Sequence, residues 1–251
     1  MDNKIPSKLN RVVIMAGGQG VRLRPLTKSC PKPMVKVAGQ PILERIILRF
    51  LNYGFNQFYI SINYLGKMIE DYFGDGQKFG CQIRYLKEKK YLHTGGSLSL
   101  IREKIKEPLI VMNGDLVTRI NFAHFLDFHQ KGKFVATLGV KPYTLTIPFG
   151  VIREKKNRLI SLTEKPINSF LINAGIYILN PEILKIIPKN QVFPLTKLFE
   201  KLLSRKKYTN KIGVYQMKED WIDVGRLQEL IKAQEELLSF EEKCLKNSKK
   251  F

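Results

Sequence analysis

The chain is poor in the residues that build redox centres, metal clusters and nucleophilic triads: three cysteines, three histidines and one tryptophan in 251 residues. Cys30, Cys81 and Cys244 are odd in number and far apart, so they form neither a disulfide framework nor a C-x-x-C metal pair, as suits a reducing cytoplasm. His93, His124 and His129 offer no Ser/His/Asp or Cys/His arrangement. His124 and His129 stand five apart on one expected helix, off the i, i+4 spacing that puts two ligands on one face, and His129 reads as a surface residue near the helix end. No run approaches the roughly 18–20 apolar residues of a membrane span. The start, Met1-Asp-Asn-Lys-Ile-Pro6, lacks an apolar signal core; Met1 to Asn10 reads as a polar segment, either a natural terminus or the remnant of a linker. Acidic residues are also scarce, 22 against 43 lysines and arginines, for a net charge of +21. Such an excess can mark a nucleic-acid binder. Here the lysines are scattered along the chain rather than gathered among aromatics, which argues for solvated surface and attraction of small anionic substrates, with no nucleic-acid partner.

What the chain does have begins at Arg11-Val-Val-Ile-Met15, a short β-branched run of the kind buried in parallel sheets. It leads into Ala16-Gly-Gly-Gln-Gly-Val-Arg-Leu-Arg-Pro-Leu-Thr27. Open α/β sheets bind ligands at the carboxyl ends of their strands. Gly17, Gly18 and Gly20 can expose backbone N–H groups as an anion-holding nest, and Arg22 and Arg24 add permanent charge with forked donors. Two familiar phosphate motifs are excluded. Leu23 stands where a dinucleotide fingerprint needs its third glycine, prolines 25, 31 and 33 forbid a regular helix, and no G-x-x-x-x-G-K-[ST] is present. The stiff loop that follows delivers Lys32 between two prolines, nearly preorganised.

Strand and helix patterns then alternate, as in βαβ units. Pro41 opens a helix that Gly54 closes, with Ile42, Ile46, Ile47 and Phe50 on one face. The pattern predicts strands over 57–62, 81–86, 109–112 and 134–140, and helices over 65–73, after Gly96 and over 121–131. Beyond Lys141 shorter strands, 150–153, 159–163 and 172–179, suggest an antiparallel extension or lid, and a long helix from about Arg226 ends the chain. With 44% hydrophobic residues the chain can bury one large core. We expect one domain over residues 11–251, divided into 11–140, 141–225 and 226–251.

Three further constellations follow. Asp115 ends the strand motif Asn113-Gly-Asp115 and Asp223 lies in Trp221-Ile-Asp-Val-Gly225; an aspartate past a strand ordinarily caps a turn, but two that converge on a triphosphate suit Mg²⁺. Trp221 reads as a packing anchor. Glu164-Lys-Pro166 and Asn173-Ala-Gly175 lie between them; Glu-Lys-Pro alone reads by default as a surface loop. Finally, Glu88 opens Glu88-Lys-Lys-Tyr-Leu-His-Thr-Gly-Gly96. A carboxylate only accepts hydrogen bonds, and by itself this stretch reads as a mixed-charge surface loop.

These residues resemble the sugar-1-phosphate nucleotidyltransferases, whose signature G-x-G-[ST]-R-[LM]-x-P-L-T and Pro-Lys-Pro loop stand here as Gly18–Thr27 and Pro31–Pro33. The departures are Val21, where the family has a hydroxyl, and His93 and Gly95 in the family's Leu-Gly-Thr-Ala-Gly segment. The resemblance implies an α/β, Rossmann-like (GT-A-like) fold: a mostly parallel sheet flanked by helices, with an antiparallel substrate-binding extension and a C-terminal helix. It implies an enzyme, often a dimer or tetramer, that uses Mg²⁺ on Asp115 and Asp223. Ala16, Gly17, Gly18, Gly20, Arg22, Glu88, Thr94 and Gly95 would bind the nucleotide, Arg22, Lys32 and Asp115 would be catalytic, and Gly150, Glu164, Lys165 and Asn173 would bind the sugar phosphate. GTP and a mannose- or glucosamine-type sugar 1-phosphate for surface glycans are the preferred substrates, with uridylyl, cytidylyl or thymidylyl transfer as alternatives. A catalytically silent nucleotide-binding regulator, suggested by Val21 and His93, and a nucleic-acid-binding protein, suggested by charge, are the competing expectations.

Overall fold

A computed structural model describes residues 6–248, with side chains through residue 239. Residues 1–5 and 249–251, and the side chain of Cys244, lie outside the described set. The strands are β1 (Val12–Met15), β2 (Lys36–Val37), β3 (Gln40–Pro41), β4 (Gln57–Ile62), β5 (Gln82–Lys87), β6 (Leu109–Asn113), β7 (Leu116–Thr118), β8 (Ala136–Thr146), β9 (Val151–Lys155), β10 (Arg158–Thr163), β11 (Ile167–Leu179), β12 (Ile212–Gln216) and β13 (Trp221–Asp223). The helices are α1 (Ile42–Leu51), α2 (Gly66–Phe73), α3 (His93–Gly96), α4 (Phe122–Lys131), α5 (Leu195–Leu203) and α6 (Leu227–Ser248).

A seven-stranded sheet in the order β12-β8-β11-β6-β1-β4-β5 forms the centre, and only β11 runs antiparallel to its neighbours. Apolar cores cover both faces. On one, α1, α2, α4 and α6 pack through Ile46, Phe50, Ile69, Phe122 and Ala233; on the other, α5 packs through Leu198 and Leu202. The chain steps outward from β1 to β4 and β5, then returns to β6 on the other side of β1. The strand order therefore reverses between β1 and β6, and that crevice is where an open α/β sheet takes a ligand.

β8 and β11 run beyond the main sheet as an antiparallel ribbon in which Lys141 pairs with Ile172 and Thr146 with Ile167, and the β9–β10 hairpin joins them. No residue from 142 through 171 is buried. A register shift between Asn173 and Tyr177 marks the point where β11 leaves the ribbon for the core, with Gly175 at φ +71°.

Several expectations need correction. The helix expected after Gly96 is instead the single turn α3 before it and a 3-10 turn, Ser97–Leu100, after it. The backbone there is pinned to the chain ahead of α5: a Cβ on Gly96 would lie 2.4 Å from the Gln191 carbonyl oxygen. His129 is not a surface residue. Its ring is buried, with Nδ1 2.8 Å from Thr137 Oγ1 and Nε2 3.0 Å from Asn180 Oδ1, because α4 turns its apolar face onto β8 and the ring is satisfied there. The sequence pattern assigned nothing to α5, β12 or the short β7–β13 ladder.

Candidate active site

The carboxyl ends of β4, β1 and β6 place Ser61, Met15 and Asn113 side by side in register, and all three line one cleft. Its remaining walls are the glycine turn Ala16–Gly18, the Lys32–Pro33 loop, Asp115, and the segment carrying Glu88, Tyr91, His93 and Thr94.

Each wall has a local cause. Gly20 takes φ +62°, and its carbonyl accepts hydrogen bonds from Leu23 N at 2.9 Å and Thr27 Oγ1 at 2.8 Å. A Cβ at Gly20 would sit 3.0 Å from both Lys32 Cβ and Thr27 Cγ2, so the missing side chain lets the proline loop close against the glycine turn. Lys32 is thereby held 8% exposed. Gly114 allows β6 to end against β1, since a Cβ there would meet the Met15 carbonyl oxygen at 2.8 Å. Asp115 follows at once.

The two aspartates, remote in sequence, meet because β13 pairs with β7, setting Asp223 opposite Leu116, and because Val224 N donates to the Asp115 carbonyl at 3.0 Å. The Lys32 ammonium lies between their side chains. It is hydrogen-bonded to Asp115 Oδ2 and stands 3.6 Å from Asp223 Oδ1, a Coulombic contact beyond hydrogen-bond reach. Asp115 Oδ1 and Asp223 Oδ1 are buried without a hydrogen-bond partner. Burial raises the Asp223 carboxyl above its ordinary range and the neighbouring Asp115 charge adds to this, while Lys32 and Arg22 pull it back. The two carboxylates thus share one ammonium, and a buried oxygen on each is left without a hydrogen bond. Among the described residues no group of three or more His, Cys, Asp and Glu side chains is placed to hold a metal, so the protein offers two carboxylates there. The Arg22 guanidinium lies over Gly225, where a Cβ would come 3.0 Å from its Nη2, so the motif that supplies Asp223 also seats this arginine.

Glu88 is 9% exposed. Its Oε1 accepts from Ser61 Oγ at 2.5 Å and its Oε2 from Leu92 N at 2.7 Å, so it straps the loop to β4 while facing the cleft. Thr94 Oγ1 accepts from Leu195 N at 3.0 Å, at the start of α5. Gly95 does not line the cleft; its N–H donates to the Phe193 carbonyl at 2.8 Å, and a Cβ would come 2.8 Å from that same oxygen. That contact explains why glycine replaces the alanine of the resembled segment.

The ribbon carries the other group of expected residues. Glu164 Oε2 approaches Gly150, 2.9 Å from where a Cβ would stand, and Lys165 takes φ +43°. Asn173 is tied into the bulge: its Oδ1 accepts from Gly175 N at 3.0 Å and its Nδ2 donates to the Tyr177 hydroxyl at 2.8 Å. Ala16, Gly17, Gly18, Lys32, Glu88, Thr94 and Asp115 thus share one cleft; Gly150, Glu164, Lys165 and Asn173 lie outside its lining. Sequence reasoning gave no role to Ser61, Tyr91 or Asn113. The strand-end rule could have found Ser61 and Asn113, which lie at the ends of the strands expected over 57–62 and 109–112, one just inside and one just past.

Fold and cleft together define an open α/β protein with a cleft at its strand ends. Residues 11–239 match the family model described as nucleotidyl transferase. The chain is 31% identical to the UTP–glucose-1-phosphate uridylyltransferase of a Synechocystis strain over 92% of its own length and 64% of the relative's. It is 30% identical to the mannose-1-phosphate guanylyltransferase of Mycobacterium tuberculosis (90% and 64%), and 32% identical to the bifunctional protein GlmU of Methanocaldococcus jannaschii (90% and 54%). Among solved structures it matches a UDP-glucose pyrophosphorylase from Acinetobacter baumanii with TM-score 0.71 at 18% identity, covering 95% of this chain and 99% of that one. It also matches HddC from Yersinia pseudotuberculosis with TM-score 0.68 at 24% identity, covering 91% and 100%. The chain belongs to the sugar-1-phosphate nucleotidyltransferase family. It spans 54–64% of the length of these three curated relatives.

Proposed function

We propose that this protein transfers a nucleotidyl group from a nucleoside triphosphate to a sugar 1-phosphate and releases pyrophosphate. The observation that carries the reading is the Lys32 ammonium held between Asp115 and Asp223 beside a glycine turn at the sheet's switch point. No nucleophilic side chain is required. A phosphate oxygen of the sugar 1-phosphate attacks the α-phosphorus in line, the bond from the α-phosphorus to the bridging oxygen breaks, and pyrophosphate departs with that electron pair. The chain's task is positioning and charge neutralisation. The backbone of Ala16–Gly18 and Gly20 and the Arg22 guanidinium hold the triphosphate, and Lys32 neutralises the α-phosphoryl group. Lys165 steers the attacking phosphate. Glu164, the Gly150 backbone and the hydrogen-bonding capacity left on the Asn173 amide take the sugar hydroxyls. The orphaned oxygens of Asp115 and Asp223 fit a hard divalent cation, and they would hold Mg²⁺, which supplies positive charge for the triphosphate oxygens.

Glu88 favours GTP within this reading. Each of its oxygens has one protein donor and keeps acceptor capacity toward the cleft, and guanine presents two adjacent donors where uracil and thymine present carbonyl oxygens. The relatives include both a guanylyltransferase and a uridylyltransferase, so uridylyl transfer is the competing assignment. A mannose- or glucosamine-type sugar 1-phosphate is the proposed acceptor, and the cytoplasm, where nucleoside triphosphates are made, is the proposed compartment. The test mixes ATP, GTP, CTP, UTP and dTTP in turn with a panel of hexose and hexosamine 1-phosphates and Mg²⁺ and measures pyrophosphate. Release with one preferred pair supports the proposal. Nucleotide binding without release from any pair would establish instead the silent regulator that an exposed Val21 side chain, in place of a hydroxyl, also accommodates.

A further inference from the structure

His93 is the one residue of the cleft wall that departs from the family's glycine and bears two conformational costs at once. Its backbone stands at φ +67°, the left-handed region in which glycine is at ease and a histidine is strained. Its Nδ1 is buried without a hydrogen-bond partner. Neither cost is an accident of a loose loop, because both flanks are fastened. On one side Leu92 N donates to Glu88 Oε2 at 2.7 Å and the Leu92 carbonyl accepts from Phe193 N at 2.9 Å. On the other, Thr94 Oγ1 accepts from Leu195 N at 3.0 Å, and the N–H groups of Gly95 and Gly96 converge on the Phe193 carbonyl at 2.8 and 2.9 Å. The strained conformation is therefore imposed by its surroundings, the condition under which strain persists at functional sites. A glycine would adopt the same backbone without either cost.

The result is a side chain where the resembled segment has none. The imidazole lines the cleft beside the Tyr91 ring, with centroids 5.0 Å apart and planes at 45°, on the segment that carries Glu88. The phosphate-holding groups lie on the glycine turn and at Lys32, which leaves this wall for the base of a nucleotide. We infer that His93 is a base-contacting specificity residue, its imidazole hydrogen-bonding the polar edge of the base while the Tyr91 ring beside it forms an apolar flank. The inference rests on the nucleotide reading of the cleft and sharpens it: base choice depends on the His93 side chain as well as on Glu88.

The experiment measures binding of the five nucleoside triphosphates and of inorganic tripolyphosphate to the wild type, His93→Gly and His93→Asn by calorimetry, with melting temperature recorded for each protein. Relief of the left-handed strain leaves His93→Gly melting at or above the wild-type temperature. At the same time it binds the preferred nucleotide about tenfold more weakly, as expected for one lost hydrogen bond. Its preference among the five bases narrows, and tripolyphosphate affinity is unchanged. Asparagine tolerates the same φ and keeps a donor and an acceptor, so His93→Asn recovers part of the preference. Unchanged nucleotide affinity in His93→Gly overturns the inference, as does an equal loss for tripolyphosphate, a lower melting temperature, or an asparagine variant no better than glycine. A wild type that binds none of the five nucleotides instead overturns the nucleotide reading itself.

Discussion

The indole Nε1 of Trp221 donates to the Ala174 carbonyl at 2.9 Å, joining the strand that ends in Asp223 to the bulge that turns β11 out of the core. Two motifs that are separate in sequence are one structural unit. Trp221→Phe keeps an aromatic ring but strands the carbonyl, at a cost of about 1–3 kcal/mol if it stays dry. The expected outcome is a lower midpoint in urea and a several-fold fall in Mg²⁺-dependent turnover. A turnover loss with no change in midpoint would show that the hydrogen bond does not brace the fold.

Lys32 compensates two carboxylates, one of them shifted upward by burial. Lys32→Ala should lower kcat by about 10² to 10³, the usual cost of one preorganised charge at a reacting phosphate. Arg22→Ala should fall in the same range and keep its fold, because the Arg22 side chain is exposed. The lysine variant also leaves Asp115 and Asp223 repelling each other, so Mg²⁺ should raise its melting temperature more than it raises that of the wild type. Near wild-type turnover in either variant would remove it from the mechanism.

Val21 is 54% exposed and packs nothing essential. Val21→Thr places a hydroxyl on the turn proposed to hold the triphosphate. Its expected effect is a few-fold gain in nucleotide affinity, in line with one hydrogen bond to a charged acceptor, at an unchanged melting temperature. An equal affinity would mean that position 21 does not face the phosphates.

The elements that were legible in the sequence are those whose pattern is local. β4 falls where the apolar run over 57–62 puts it, and α1 buries the expected Ile42, Ile46, Ile47 and Phe50. The Lys32 loop was legible because prolines restrict the chain whatever it packs against. Long-range pairing was not. β12 joins the sheet beside β8 and β13 pairs with the short β7, and neither segment signals its partner. The antiparallel extension expected beyond Lys141 is present, but the apolar Ile and Leu residues of β9 and β10 gave no sign that they stand exposed on it. His129 was misjudged because helical spacing says nothing of Thr137 and Asn180, which satisfy its ring from other elements.

That buried ring carries a pH dependence. Burial lowers the His129 pKa from its ordinary 6.5, only partly offset by the Asn180 hydrogen bond and the Glu182 charge. The unfolded chain then binds a proton more readily than the folded one, so stability is complete above about pH 6.5 and falls as pH drops below it toward the folded value. His129→Gln keeps a polar partner for Thr137 and Asn180 and removes the titration. Urea midpoints measured from pH 7.5 to 5 should fall less steeply in the variant; parallel slopes would assign the acid sensitivity to other groups.

In the proposed function Glu88 joins base recognition to loop structure, and one atom exchange separates the two. In Glu88→Gln the amide oxygen can still accept from Leu92 N, while the amide nitrogen donates to Ser61 Oγ, a hydroxyl able to accept as readily as it donates. The loop should therefore hold, with a melting temperature within a few degrees of the wild type. What changes is the face toward the cleft, where an acceptor-only carboxylate becomes a donor and acceptor. Pyrophosphate release should shift from GTP toward UTP or dTTP by about tenfold or more in relative kcat/KM, because a site that loses an acceptor leaves a guanine donor unpaired. A collapse of the fold would make Glu88 a strap alone. Intact folding with an unmoved nucleotide preference would place base recognition on the neighbouring rings of Tyr91 and His93 instead.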